Sequence, residues 1–321
     1  MRIRIIIVIV PGVNWSPLVA VACAALAVAG CGRTGTSTPA ATGGGPQRIL
    51  AVGAENEYAD VISQVGGRYV SVTAIMSDPN TDPHSFEASP QVAQTVGAAR
   101  LVVQNGVGYD SFMDRIESAT HNSSRRVIDV QKLLRLPDST GNPHLWYATG
   151  TMPRVAARVA AILSALEPKH RGYFRANARR FDASLSPWLR AIADFKRRHP
   201  AAPVATTEPV GDYLLHAAGA RNLTPWNMQA DIMNGVDPAP QDVNLQSDLL
   251  AGHRVKALLY NQQVTDTLTQ TFLGQAAQHH VPVVGVYETM PRGYDYQSWM
   301  LAEMNALERA VSSGRSTTRL P

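Results

Sequence analysis

Cysteine is nearly absent: 321 residues contain two, Cys23 and Cys31. No residue after Cys31 is available for a disulfide, so the remainder must be held by its core even if it lies in an oxidising compartment. A continuous apolar stretch of ~20 residues, the length that spans a bilayer as a helix, is also lacking. The apolar runs 5–10 and 18–29 are separated by Pro11, Gly12, Asn14 and Pro17. Charge of one sign is missing too, with 29 Lys and Arg against 25 Asp and Glu, a net +4. The main basic cluster (Arg175, Arg179, Arg180, Lys196, Arg197 and Arg198) is interleaved with acidic and apolar residues. It reads as a solvated helix face, and no nucleic-acid partner is expected. There is no HExxH pattern and no long histidine-rich loop between His84 and His144.

The N-terminal segment carries Arg2 and Arg4, then the two apolar runs, and ends Val28-Ala29-Gly30-Cys31. Small residues before a cysteine at such a boundary resemble a lipobox. Residues 1–30 are then a removed signal peptide and Cys31 the diacylated N-terminus; the alternative is a transmembrane anchor. Residues 31–46 form the lipidated cysteine and a Gly, Ser, Thr, Ala and Pro tether, which at about 5–6 Å × √n spans roughly 20 Å. This reading places the protein outside the cytoplasm, lipid-anchored to the outer face of the cell membrane.

Apolar segments predict strands at 48–52, 70–76, 101–104 and 126–130, with helices at 56–65 and 89–99 between them. From Met152 the period turns helical for about forty-five residues. A continuous helix over 168–199 would run ~48 Å at 1.5 Å per residue, although Pro187 should kink it or mark a break. Alternation then resumes, with strands at 204–206, 255–260 and 281–287 and helices at 209–218, 241–251, 266–279 and 296–312. The fold class is α/β: two lobes, 47–150 and 201–321, each a mostly parallel sheet flanked by helices, joined by a helical linker, 151–200, that contains a long spine helix.

Two turns carry the chemistry. Asp82-Pro83-His84 and Asn142-Pro143-His144 each set a histidine on a proline-stiffened backbone, and imidazole is a common ligand for first-row metals. The carboxylates that complete a four-ligand set follow predicted strands of the second lobe, Glu208 in Thr206-Thr207-Glu208-Pro209 and Glu288 in Tyr287-Glu288-Thr289-Met290-Pro291. Ligands of open α/β sheets collect beyond the carboxyl ends of strands. Taken singly, Glu208 also reads as a helix-start carboxylate and Glu288 as a solvated loop residue. The remaining histidines, including His279-His280 and His216, read as surface, helix-end or packing residues.

With these motifs in place the chain resembles the metal-binding lipoproteins that deliver zinc, manganese or iron to ABC importers. The resemblance rests on Asp82-Pro83-His84-Ser85-Phe86-Glu87-Ala88-Ser89-Pro90, Leu101-Val102-Val103-Gln104-Asn105-Gly106, Asn142-Pro143-His144-Leu145-Trp146-Tyr147 and Thr207-Glu208-Pro209. It implies metal ligation by His84, His144, Glu208 and Glu288, with Asp266 the rival for the fourth position. It further implies one transported divalent metal, Zn2+ or Mn2+ and in some relatives Fe2+, and an importer permease with its ATPase as partners of a monomer. Adhesion, attributed to some family members, has no residue signal here. Zinc is favoured over manganese because Thr-Glu-Pro, Tyr-Asn-Gln-Gln and Glu-Thr-Met-Pro resemble a zinc-carrying branch. Two other classes compete: a metallohydrolase with a two-His, one-carboxylate zinc site, which needs an open coordination position and a general base, and a carrier of a bulky metal chelate. The expectation is a carrier and not an enzyme.

Overall fold

The structure is a computed structural model that describes residues 48–80 and 86–321. The lipobox, Cys31, the tether and His84 lie outside the described residues. The first sheet is built from β1 (Ile49–Glu55), β2 (Val70–Met76), β3 (Leu101–Gln104) and β4 (Arg126–Asp129), all parallel, in the order β2-β1-β3-β4. The second contains β5 (Pro203–Thr206), β6 (Arg221–Asn222), β7 (Leu258–Asn261) and β8 (Val283–Val286), also parallel, in the order β6-β5-β7-β8. Every residue of β3, β7 and β8 is buried. Their near-continuous apolar sequences therefore belong to strands covered on both faces, as in parallel sheets generally.

The helices follow local signals. α1 (Asn56–Gly66) ends at Gly67, whose φ of +50° suits glycine, and the Asn177 amide donates to the Val65 carbonyl near that end. α2 (Pro90–Ala98) begins with Ser89 as N-cap and Pro90 in its first turn. α3 (Ser111–Ala119) and α4 (Val130–Leu134) complete the helices before the linker. α8 (Asp212–Ala217), α9 (Trp226–Met233), α10 (Pro240–Ala251), α11 (Thr267–Gln278) and α12 (Tyr296–Ser313) accompany the second sheet.

The connection between the sheets consists of α5 (Thr151–Leu166), a 3-10 turn, α6 (Arg171–Ser184) and α7 (Ser186–Arg198). No single rod covers 168–199. α6 stops at the buried Leu185, and Pro187 occupies the first turn of α7, where its missing N–H costs nothing. The break is the outcome that Pro187 foreshadowed. α7 packs on α12, so the linker lies against both halves of the chain. Trp146, Trp188 and Trp299 are fully buried in the main apolar core, which runs through residues of both sheets and the linker. Burial of each such side chain contributes about 1.5–3 kcal/mol.

Candidate metal centre

In both sheets the strand order reverses beside the first strand, and the crevice beyond the strand ends at such a point is where α/β folds bind ligands. At the second sheet, Glu208 follows β5, Asn261 ends β7 and Glu288 follows β8. The Asn261 amide nitrogen donates to Glu288 Oε1 at 2.7 Å and to Glu208 Oε1 at 3.2 Å, so one side chain ties the two carboxylates together. Gln263 Oε1 accepts from the backbone N–H groups of Glu288 and Thr289, at 2.7 and 2.8 Å, which fixes the loop that carries Glu288. All four of these polar side chains are buried, Glu288 and Asn261 completely.

From the other side comes the Asn142-Pro143-His144 turn. His144 is fully buried, and its Nε2 stands 3.2 Å from Glu288 Oε2. The Asn142 amide nitrogen donates to the Pro209 carbonyl, leaving its oxygen to accept the backbone N–H of His144 and to face ring Nδ1 at 2.8 Å. An amide oxygen only accepts, so Nδ1 carries a proton. Nε2 and the Glu288 carboxylate face each other closely enough for a cation, a proton or a metal ion, to be held by both. The turn is also anchored by Asn105, which donates to the Pro143 carbonyl, and by Tyr213, which donates to the Asn142 carbonyl. Tyr109 donates its hydroxyl to Glu288 Oε2 at 3.0 Å. Tyr109 and Trp146 pack edge-on to His144 with ring centroids 6.0 and 5.4 Å away, giving it an apolar wall.

A second group of carboxyls lies behind Tyr109. Glu55 and Glu57 are buried, and among the described residues no donor reaches either carboxyl. Burial pushes both well above the ordinary carboxyl range, with Asp110 adding repulsion at Glu55 and Glu288 and Asp110 adding it at Glu57. Burial also raises Asp110, to about 6, against the two backbone N–H groups, of Asn105 and Gly106, that its carboxylate accepts.

Thus His144 stands against Glu288, and Glu208 is joined to Glu288 through Asn261, while the fourth expected ligand, His84, lies outside the described residues. Among the described residues, no three His, Cys, Asp or Glu side chains already stand in metal-holding geometry. Asp266 sits elsewhere: it is exposed and caps α11, its carboxylate accepting the Thr269 N–H at 2.6 Å. Tyr109, Asn142 and Asn261 were not singled out from sequence. Asn142 and Asn261 stand inside the quoted motifs, but Tyr109 follows a Gly-Val-Gly turn with no distinguishing signal. His216 is exposed and His199 pairs with Glu308 at 3.1 Å.

The profile of the family described as zinc-uptake complex component A, periplasmic (ZnuA), matches residues 52–310. The manganese-binding lipoprotein MntA of Bacillus subtilis is 23% identical over 279 residues, covering 84% of this chain and 87% of that protein. The manganese ABC transporter substrate-binding lipoprotein PsaA of Streptococcus pneumoniae is 21% identical, covering 70% and 76%. Among solved structures, a crystal structure of ZnuA superposes with a TM-score of 0.68 at 19% identity, covering 83% of this chain and all of the other. The substrate-binding protein FpvC of Pseudomonas aeruginosa, in complex with Mn2+, gives 0.66 at 21% identity, covering 83% and 98%. These structures share the fold described above.

Proposed function

Since this chain belongs to the zinc-uptake component A family of metal-binding substrate-binding proteins of ABC importers, we propose that it captures one divalent transition metal ion between its two sheets and hands it to an importer permease driven by its ATPase. His84, His144, Glu208 and Glu288 are the proposed ligands. The lobes are residues 47–150 and 201–321, with 151–200 as the connection. The observation that carries this reading is the buried pair His144 and Glu288: ring Nδ1 faces the Asn142 oxygen at 2.8 Å, and Nε2 stands 3.2 Å from the Glu288 carboxylate. Burying carboxylates beside an imidazole has an electrostatic cost that a bound cation offsets.

Two imidazoles and two carboxylates suit tetrahedral zinc, and zinc is the proposed cargo ahead of manganese. The observation favouring manganese is that the relatives MntA and PsaA are named for it; bidentate carboxylates would raise the coordination number to suit it. Lipidation at Cys31 anchors the proposed monomer to the outer face of the membrane. Among the described residues no helix is long and apolar enough to cross one. Purified protein should contain one metal per chain and show no turnover in a hydrolase screen, and zinc should displace manganese in competition titration. A metal-free chain that binds neither ion would overturn the assignment.

A further inference from the structure

Glu303 of α12 is buried, and the proposed metal site does not use it. Its Oε1 accepts the indole N–H of Trp299 at 2.6 Å, and its Oε2 lies 2.7 Å from the hydroxyl of Tyr147, in the 3-10 turn Leu145–Tyr147 that follows His144. The same hydroxyl lies 2.8 Å from the carbonyl oxygen of Tyr287 and 3.3 Å from its N–H. Tyr287 is the residue before Glu288.

Counting protons decides the state of this network. A phenol has one proton to donate, yet both the Tyr287 carbonyl and an ionised Glu303 would need it. If Glu303 instead carries a proton on Oε2, every group is satisfied. Glu303 donates to the Tyr147 oxygen, which also accepts the Tyr287 N–H, and Tyr147 donates to the Tyr287 carbonyl. Resting on the site reading above, we propose that Glu303, as a neutral acid, is a positioning residue for metal binding: through Tyr147 it clamps both backbone polar groups of Tyr287, holding the Glu288 loop in register with the His144 turn.

The surroundings agree. Burial is the main cause that raises Glu303 to about 8, opposed by its bonds to Tyr147 and Trp299 and by the nearby Tyr287 N–H. The titratable groups that face it are the phenols Tyr147, Tyr287 and Tyr296. Beyond them, Glu288 acts on Tyr147, Glu57 on Tyr296 and Arg319 on Tyr287. Arg198 and His199 at the end of α7 pair with Glu308.

The test uses zinc-loaded protein and the rate of zinc release to excess chelator at about pH 7 and about pH 9.5, either side of the Glu303 titration. Wild type should release roughly 10-fold faster at the higher pH, the scale of a lost outer hydrogen bond to a metal site. Glu303→Leu and Tyr147→Phe should release fast at both values. Glu303→Gln, whose amide can donate to Tyr147 and accept from Trp299, should restore slow release and abolish the alkaline step. Independently of metal, infrared difference spectra between the two pH values should show loss of a protonated-carboxyl band in wild type that Glu303→Gln lacks. The inference is overturned if Glu303→Gln keeps the wild-type alkaline step, if Tyr147→Phe releases zinc as slowly as wild type, or if no such band exists. Loss of zinc binding in His144→Ala and Glu288→Ala alongside any of these results overturns the inference and leaves the site reading standing. Full zinc binding by those two variants overturns the site reading instead, and the infrared result still reports the protonation of Glu303.

Discussion

Asn142 illustrates how much of the centre depends on residues that do not themselves touch the proposed ion. Its carboxamide sets the His144 tautomer on one side and grips the Pro209 carbonyl on the other, so truncation frees the ring and loosens the turn together. Asn142→Ala should weaken zinc binding about 10–100-fold, the usual scale for partners of a metal-ligating histidine; titration calorimetry reads it directly. His144→Ala and Glu288→Ala should each weaken binding more severely. Asp266→Ala should leave affinity unchanged and lower stability by about 1 kcal/mol through loss of the α11 cap, and an affinity loss larger than that of Glu288→Ala would move the fourth ligand to Asp266. That His144 and Glu288 are neighbours and Glu208 lies one amide away was legible because proline turns and strand ends mark all three in the sequence; their ligation of metal is a proposal. Tyr109 was not, because its contact with Glu288 joins positions 179 apart and no local pattern encodes such a distance.

Among the elements, the strands were read most faithfully. β2 and β3 have the expected ends, since β2 alternates apolar and small polar residues up to a Ser-Asp-Pro turn and β3 is a short apolar run closed by Gln104 before Asn-Gly. α3, α4, α9 and the two-residue β6 were missed. β6 and the five-residue α4 are too short to show a period, and α9 begins in a Pro-Trp-Asn segment that reads as loop. Glycine sites within elements offer sharp tests of packing. A Cβ on Gly53 of β1 would stand 2.4 Å from the Ala59 backbone nitrogen of α1, which cannot yield as a flexible side chain would. Gly53→Ala should therefore destabilise the fold by about 1–3 kcal/mol, measured as a shift in the urea midpoint. Gly274→Ala, where a Cβ meets nothing within 4 Å, should raise stability by roughly 0.5–1 kcal/mol through helix propensity.

For the molecule as a whole, buried carboxyls set the response to pH. Burial raises Glu303 to about 8 and Asp110 and Asp212 to about 6, and it holds Glu55 and Glu57 well above their ordinary value. Across this window the folded chain keeps protons that the unfolded chain releases near pH 4, so stability falls as pH rises. The melting temperature of metal-free protein should accordingly climb from about pH 8 down towards about pH 5. Zinc affinity should move the opposite way, falling as the solution passes roughly pH 6.5, because ligating histidines must be neutral. Calorimetric melts and zinc titrations on the same samples would reveal the crossing trends, and a melting temperature that drops steadily on acidification would contradict the protonation states described here.

The two sheets share one strand order, with β1, β2, β3 and β4 matched in turn by β5, β6, β7 and β8. Asn261 ends β7 and Asn105 directly follows β3, so each half sets an asparagine at the tip of the corresponding strand, one steadying carboxylates and the other a histidine turn. A repeated frame need not carry a repeated chemistry: two identical halves would have to present the same groups from both sides, whereas here one bank offers imidazole and the other carboxylate.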